Sequence, residues 1–297
     1  MSAPVRPAAG EGAAQPAGMA LVLLAAVLWS SSGLFVKLLT VPAFQLIAIR
    51  AGLAALTLLP FVRFRALRLD ANLALVSVAL GATQVFFVFA TRWTTAANAI
   101  ALQSTAPAWV FVGVWLATRR LQPPLLIPLG LIGAGIAAIL VEPAHGTSLL
   151  GNLLGLGGGF CFALTQIAFK RINQPAVGTV AMANLASALA IALLVPGTLQ
   201  VASIATWEWL SLVYLGAIQI GLAMLCFMAG VRRITVSQAS ILVQLEPLLN
   251  PLWVYLVLGE LPSAYGFAGF ALIGAGIAVD TWLRLWLPSL QRVPGGA

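Results

Sequence analysis

Charge is scarce in this 297-residue chain: Asp, Glu, Lys and Arg make up 7% of it, against about 25% in soluble domains. Its 15 basic and 7 acidic side chains could not cover a water-soluble body of this length, whose surface would be largely hydrocarbon. The chain has one histidine, His145, and two cysteines, Cys161 and Cys226, both inside apolar runs. There is thus no disulfide framework, no metal-ligand spacing and no histidine-based catalytic triad. No GxxxxGK[ST] phosphate loop occurs, and no segment between apolar runs could house a nucleotide-binding domain, so the chain by itself is no ATP-driven pump and no ATPase partner is required. No cofactor is expected.

Hydrophobic residues are abundant, at 61%. About 20 apolar residues cross a bilayer as a helix. Ten such runs are predicted, at 18–38, 44–62, 72–91, 97–118, 124–141, 149–169, 177–195, 206–228, 236–258 and 263–283. The fold class is therefore an all-α integral membrane protein whose surface partner is the lipid bilayer. Residues 1–17, rich in Ala, Gly and Pro, read as a disordered tail rather than a cleaved signal peptide, because no small-residue cleavage site follows the first run. Residues 284–297 form a C-terminal tail.

The formal net charge of +8 reports orientation. Lys and Arg in short loops are retained on the cytoplasmic side. With the N-terminus inside, Arg6, Arg63, Arg65, Arg68, Arg119, Arg120, Lys170, Arg171, Arg232, Arg233, Arg284 and Arg292 are cytoplasmic, whereas Lys37 and Arg92 lie outside. This scatter of basic residues beside helix ends also argues against a nucleic-acid partner. Glu142, Glu208 and Glu260 fall on the outer side.

An internal repeat organises the spans. LIGAGIA occurs at Leu131 to Ala137 and again at Leu272 to Ala278, and an offset of 140 pairs Gly81 with Gly221, Phe87 with Phe227, Arg92 with Arg232, Thr95 with Thr235 and Pro107 with Pro247. Residues 18–141 and 149–283 are thus two five-helix repeats. Five is odd, so the second enters the membrane inverted. Matching loops carry opposite charge: Arg119 and Arg120 in the first half, Gly259 and Glu260 in the second. Inverted repeats are a common plan for secondary transporters, with a site at the interface between the halves. The alternatives are a duplicated scaffold, or a channel on the same frame.

Polar side chains in mid-span point to the interior or the pathway. Ser237, Ser240, Gln244, Pro247 and Pro251 recur at steps of 3 and 4 on one face of the ninth span, and Asn98, Gln103, Ser104 and Pro107 take the corresponding stretch of the fourth. The prolines Pro107, Pro247 and Pro251 are expected to bend these helices and free backbone carbonyls. Trp29 stands beside Ser30, Ser31 and Ser32, while Gln84 and Phe87 lie in the third span and Phe162, Thr165 and Gln166 in the sixth. Aromatic walls with a few amides suit a small amphiphilic substrate such as a zwitterion with an apolar side chain. The alternative for each residue is helix packing.

Two ionisable groups lie deep: Arg50, about 12 Å from the outer end of its span at 1.5 Å per residue, and Glu246, near the midplane. We expect Glu246 to be a proton-coupling carboxylate or pathway residue, with Arg50 as a counter-charge or a structural group. A lone mid-membrane carboxylate and serines without a base argue against an intramembrane enzyme.

The segment LEPLLNPLWVYLVLGE, Leu245 to Glu260, followed by the LIGAGIA helix, resembles the drug/metabolite transporter superfamily and its ten-helix EamA-type exporters. Pro107, Pro247, Gly259, Glu260 and Arg50 in FQLIAIRAGL match that pattern, while Arg119 and Arg120 depart from it. Length and an aromatic-rich interior are similar to the YddG-type amino-acid exporters. The resemblance implies outward transport of a small amphiphilic metabolite across a bacterial inner membrane, with amino acids foremost and other metabolites or drugs as the alternative.

Overall fold

A computed structural model describes residues 11–119, 122–142, 148–198, 200–201 and 204–286. The calls for residues 1–10 and 287–297 of the two tails, and for Arg120 and His145, lie outside these. Ten helices long and apolar enough to span a membrane follow one another: α1 (Gln15–Leu38), α2 (Ala43–Phe61), α3 (Ala71–Trp93), α4 (Ala96–Thr118), α5 (Pro123–Leu140), α6 (Leu149–Lys170), α7 (Ala176–Leu194), α8 (Thr206–Val231), α9 (Gln238–Leu258) and α10 (Ala264–Arg284). Each expected span is present with ends shifted by a few residues. The one larger difference is at the start, where the helix begins at Glu11 rather than after a tail to residue 17. Ala-rich sequence favours that turn, and Gly18 lets it lie against the carbonyl of Gly230 and the side chains of Arg233 and Ile234.

Two helices start on a Pro-Ala pair, α2 after Pro42 and α7 after Pro175, where the missing N–H costs nothing. Asp70 caps α3, accepting from Leu73 N at 2.8 Å, and Ser148 caps α6, accepting from Gly151 N at 2.9 Å.

Packing follows the repeat. The α5–α10 contact is the clearest case: a Cβ at Gly135 would lie 2.7 Å from the carbonyl oxygen of Gly269, and one at Gly276 would lie 2.9 Å from that of Pro128. Both pairs of partners are related by the offset of the LIGAGIA repeat, so the contact is made twice around one pseudo-two-fold axis. The α3–α6 and α8–α1 contacts are likewise counterparts, and α2 packs on α7 across the axis. Close approach gives dispersion energy where lipid supplies no hydrophobic drive. Gly135→Val is expected to destabilise by about 1–3 kcal/mol through overpacking, read as a lower thermal midpoint in detergent.

The repeat persists in the backbone where side chains have diverged. Arg119 and Gly259 occupy equivalent C-terminal positions of α4 and α9, and both are left-handed, at φ 55° and 67°. Glycine adopts this conformation without a Cβ penalty, whereas arginine does not. Arg119→Gly is therefore expected to raise stability by about 0.5–1 kcal/mol, in the same thermal assay.

Candidate functional site

Three helices are interrupted near mid-membrane, and the interruptions assemble the site. α1 breaks at Ser31, between Glu11–Ser30 and Ser32–Leu38; α4 breaks at Ser104 and Thr105, between Ala96–Gln103 and Ala106–Thr118; α9 breaks at Gln244, between Val236–Val243 and Leu245–Leu258. Pro107 sits in the first turn of the second piece of α4, where proline is tolerated, and Pro251 lies inside the second piece of α9. Pro247 follows the α9 break by three residues. α8 accommodates the same level by a wide π-helical stretch, Tyr214–Leu222, a device often found at functional sites.

The break in α1 is closed by polar contacts from the second half. Gln219 Nε2 donates to the carbonyl of Trp29 at 3.2 Å, Trp253 Nε1 donates to Ser30 Oγ at 2.9 Å, Ser31 Oγ and Tyr214 Oη are 2.9 Å apart, and Asn250 Nδ2 donates to Ser32 Oγ at 3.3 Å. The serine run is thus a junction between α1, α8 and α9, and Ser32, expected at the substrate, is buried in that junction. Trp29 is half-buried and stacks on Phe227 with ring centroids 5.2 Å apart. Tyr214, Gln219, Asn250 and Trp253 were not singled out from the sequence; their mid-span polar atoms were the available signal.

One face of the bundle is tied shut. The ammonium of Lys37, at the end of α1, pairs with Glu260 Oε2 and also donates to the carbonyl of Thr94 at 2.9 Å. Glu260 Oε1 accepts from Ala96 N, in the first turn of α4, at 2.7 Å. Beside them Asn98 donates to Glu142 at 2.6 Å, and Arg92 donates to the carbonyls of Leu39 and Val41 at 3.1 and 2.6 Å. Asn98, expected at the substrate, therefore belongs to this face, near the N-terminal end of α4.

The opposite, arginine-rich face is not closed in this way. Toward the first face, the end of α1 packs on α3 and α4, and the second piece of α9 and α10 pack on the first piece of α4. Among the described residues, none of the counterparts demanded by pseudo-symmetry packs comparably: not the second piece of α4 with the first of α9, nor α5 with that piece, nor α6 with α8. Side-chain exposure agrees. Gly155, Gly159, Phe162 and Gln166 form one stripe of α6; the glycines are buried against α4, while Phe162 is half-buried and Gln166 exposed. Ser240, in the first piece of α9, is exposed too.

Behind that stripe α6 packs on α3 and α4 at Gly158, while the ring of Phe87, expected at the substrate, is buried in the core with Val36, Leu46 and Ile100. A Cβ at Gly158 would lie 3.7 Å from Gln103 Oε1 and 3.9 Å from Phe87 N. Phe87 is one turn from Gln84, which donates to Asn184 at 3.1 Å and accepts from Arg50 Nη2 at 3.4 Å. Gln103 Oε1 is buried without a partner. Gln244 is half-buried at the α9 break. Glu246 is half-buried in the first turn of the second piece of α9, where helix amides favour a negative charge, and it has no hydrogen-bond or ion-pair partner among the described residues. The expected pairing of Arg50 with Glu246 is absent: Arg50 turns to α3 instead.

Ten spanning helices in two inverted halves, closed between the halves on one face and open on the other, define a multi-pass membrane transporter with the bilayer and a small-molecule substrate as its partners. The family model of the EamA-like transporter family matches residues 16–141 and 149–281, and the chain belongs to that family. It is 26% identical over 265 residues, 88% of this chain and 95% of the other, to an uncharacterized transporter of Archaeoglobus fulgidus. A crystal structure of 23% sequence identity has the same fold, with a TM-score of 0.62 over 92% of this chain and 99% of that one.

Proposed function

We propose that the protein exports small amphiphilic metabolites, amino acids foremost, by alternating access through the cleft between its halves. The observation that carries this reading is the asymmetry of closure: two inverted copies of one unit are packed together at Lys37 and Glu260 and apart at the other face. Exchanging the conformations of the two copies would close the open face and open the closed one. The loop arginines support placing the open face in the cytoplasm of a bacterial cell, with both chain ends there. Trp29 and Phe162 offer ring surface, and Gln84, Gln103, Gln166, Ser240 and Gln244 offer polar contacts, a combination suited to a zwitterion with an apolar side chain. Glu246 couples the cycle to protons. Nothing in this scheme requires an enzymatic step, a cofactor or a nucleic acid.

Uptake of a panel of labelled amino acids by proteoliposomes, with and without a proton gradient, tests it. The expected result is saturable, gradient-stimulated flux with counterflow. Movement of a cationic dye or a sugar but of no amino acid would assign another substrate, and non-saturable flux without counterflow would indicate a channel.

A further inference from the structure

Arg50 carries a full charge at mid-membrane depth with almost nothing to balance it. It is 4% exposed, and its one hydrogen bond among the described residues is the 3.4 Å contact with Gln84, longer than the 2.7–2.9 Å usual for a charged donor. Its Nε is buried without an acceptor. No protein carboxylate is available. α2 packs on α3, α7 and α8, whose acidic residues are Asp70, capping the far end of α3, and Glu208, which accepts from Thr40 and Ala205 on the closed face. Charged and titratable groups elsewhere on these helices are Arg92, bound to the carbonyls of Leu39 and Val41, and Tyr214 and Cys226, which bring no negative charge. An unpaired guanidinium inside a membrane protein is costly unless an anion meets it.

We propose that Arg50, positioned by Gln84, is the subsite for the carboxylate of the substrate. Gln84 is itself held by Asn184, so the guanidinium is aimed rather than free to turn away. From the open face, Gln166 and Phe162 of α6 lead to Gly158, which packs on the backbone of α3 beside Gln103, and Gln84 lies one turn further along α3, so the approach to Arg50 follows the contact between α6 and α3 and requires it to part. Gln103 Oε1, beside Gly158, is a second buried polar atom without a partner, an acceptor where Arg50 is a donor. The inference rests on the export reading for its route of access; the ligand chemistry rests on Arg50 alone.

The test compares ligands that differ at one group. Inhibition of labelled amino-acid flux in proteoliposomes is measured with L-phenylalanine and with L-phenylalaninamide, which keeps ring and amine but lacks the carboxylate. Thermal unfolding of the purified protein is followed with and without phenylacetate, which has the carboxylate and no amine. For the native protein, phenylalanine is expected to inhibit at least about tenfold more strongly than its amide, the loss implied by one charge-assisted pair, and phenylacetate is expected to raise the thermal midpoint. In Arg50→Gln the ratio should fall to about one and the phenylacetate shift should vanish, while Arg50→Lys keeps part of both. Equal inhibition by phenylalanine and its amide in the native protein overturns the subsite, whether or not Arg50→Gln folds. A phenylacetate shift unchanged in Arg50→Gln overturns it as well. If no amino acid moves yet phenylacetate stabilises the native protein and not Arg50→Gln, amino-acid export fails and the carboxylate subsite stands. If amino acids move but the amide competes equally, export stands and the subsite fails.

Discussion

Glu260→Ala is expected to open the closed face and cut transport by about tenfold or more. The Glu260 carboxylate does two things at once: it pairs with Lys37 from the end of α1 and accepts the Ala96 N–H at the start of α4. It thereby ties the second half of the chain to the first at two points. The side chains of Lys37 and Glu260 are 15% and 24% exposed, between the exposed pairs worth up to about 1 kcal/mol and the buried pairs whose breaking costs about 3–5 kcal/mol. A loss of about 1–3 kcal/mol from this side of the equilibrium shifts it by roughly 5- to 150-fold. Accessibility reads the shift directly. With Cys161 and Cys226 replaced by Ala, Ala99→Cys places a thiol one turn below the latch, at a position that is 0% exposed. An impermeant maleimide added from that side should label it slowly in the native background and faster with Glu260→Ala. Equal labelling would show that the pair does not hold the face closed. The charge exchange Lys37→Glu with Glu260→Lys should restore closure only in part. It rebuilds the ion pair but places an ammonium where the α4 amide needs an acceptor, at a helix end that disfavours positive charge.

Glu246→Gln is expected to abolish stimulation by a proton gradient while leaving counterflow of substrate measurable. The carboxylate stands in the first turn of a half-helix, where backbone amides help to hold its charge, yet no cation among the described residues pairs with it. The segments packed on this part of α9 belong to α1 and α4. Their charged residues are Glu11 at the far end of α1 and Lys37, already paired with Glu260. Glu246 can therefore take up and release a proton without breaking an existing pair. The amide keeps the shape and cannot titrate, so exchange should persist while net coupling disappears. The measurement is flux in proteoliposomes at imposed gradients beside counterflow at equal pH. Gradient-driven flux at the native level in Glu246→Gln would remove this residue from coupling.

Much of the architecture was legible because the signals are local and periodic. Runs of apolar residues define the spans, loop arginines define two faces, and the duplicated LIGAGIA string with its offset defines the repeat. Two of the mid-span prolines, Pro107 and Pro247, each follow a helix break by a few residues. The partners of polar residues were less legible. Ser30, Ser31 and Ser32 suggested a binding patch, whereas their hydroxyls meet α8 and α9 residues some two hundred positions away. Asn98 was read as a substrate contact but forms part of the closed face, because its amide meets Glu142, 44 residues away.

The sequence by itself determined the ten helices, their inversion and the two charged faces, for these depend on hydrophobic length and on charge counted loop by loop. Lys37 and Glu260 were visible as charges on one side, and Arg50 and Glu246 as charges at depth. Only the tertiary structure decided that the first two join and the last two do not. That outcome depends on how two copies of one unit lean against each other, and the same sequence must support more than one such arrangement. The closed and open faces differ through contacts between distant helices, each worth a few kcal/mol at most, which no local pattern records.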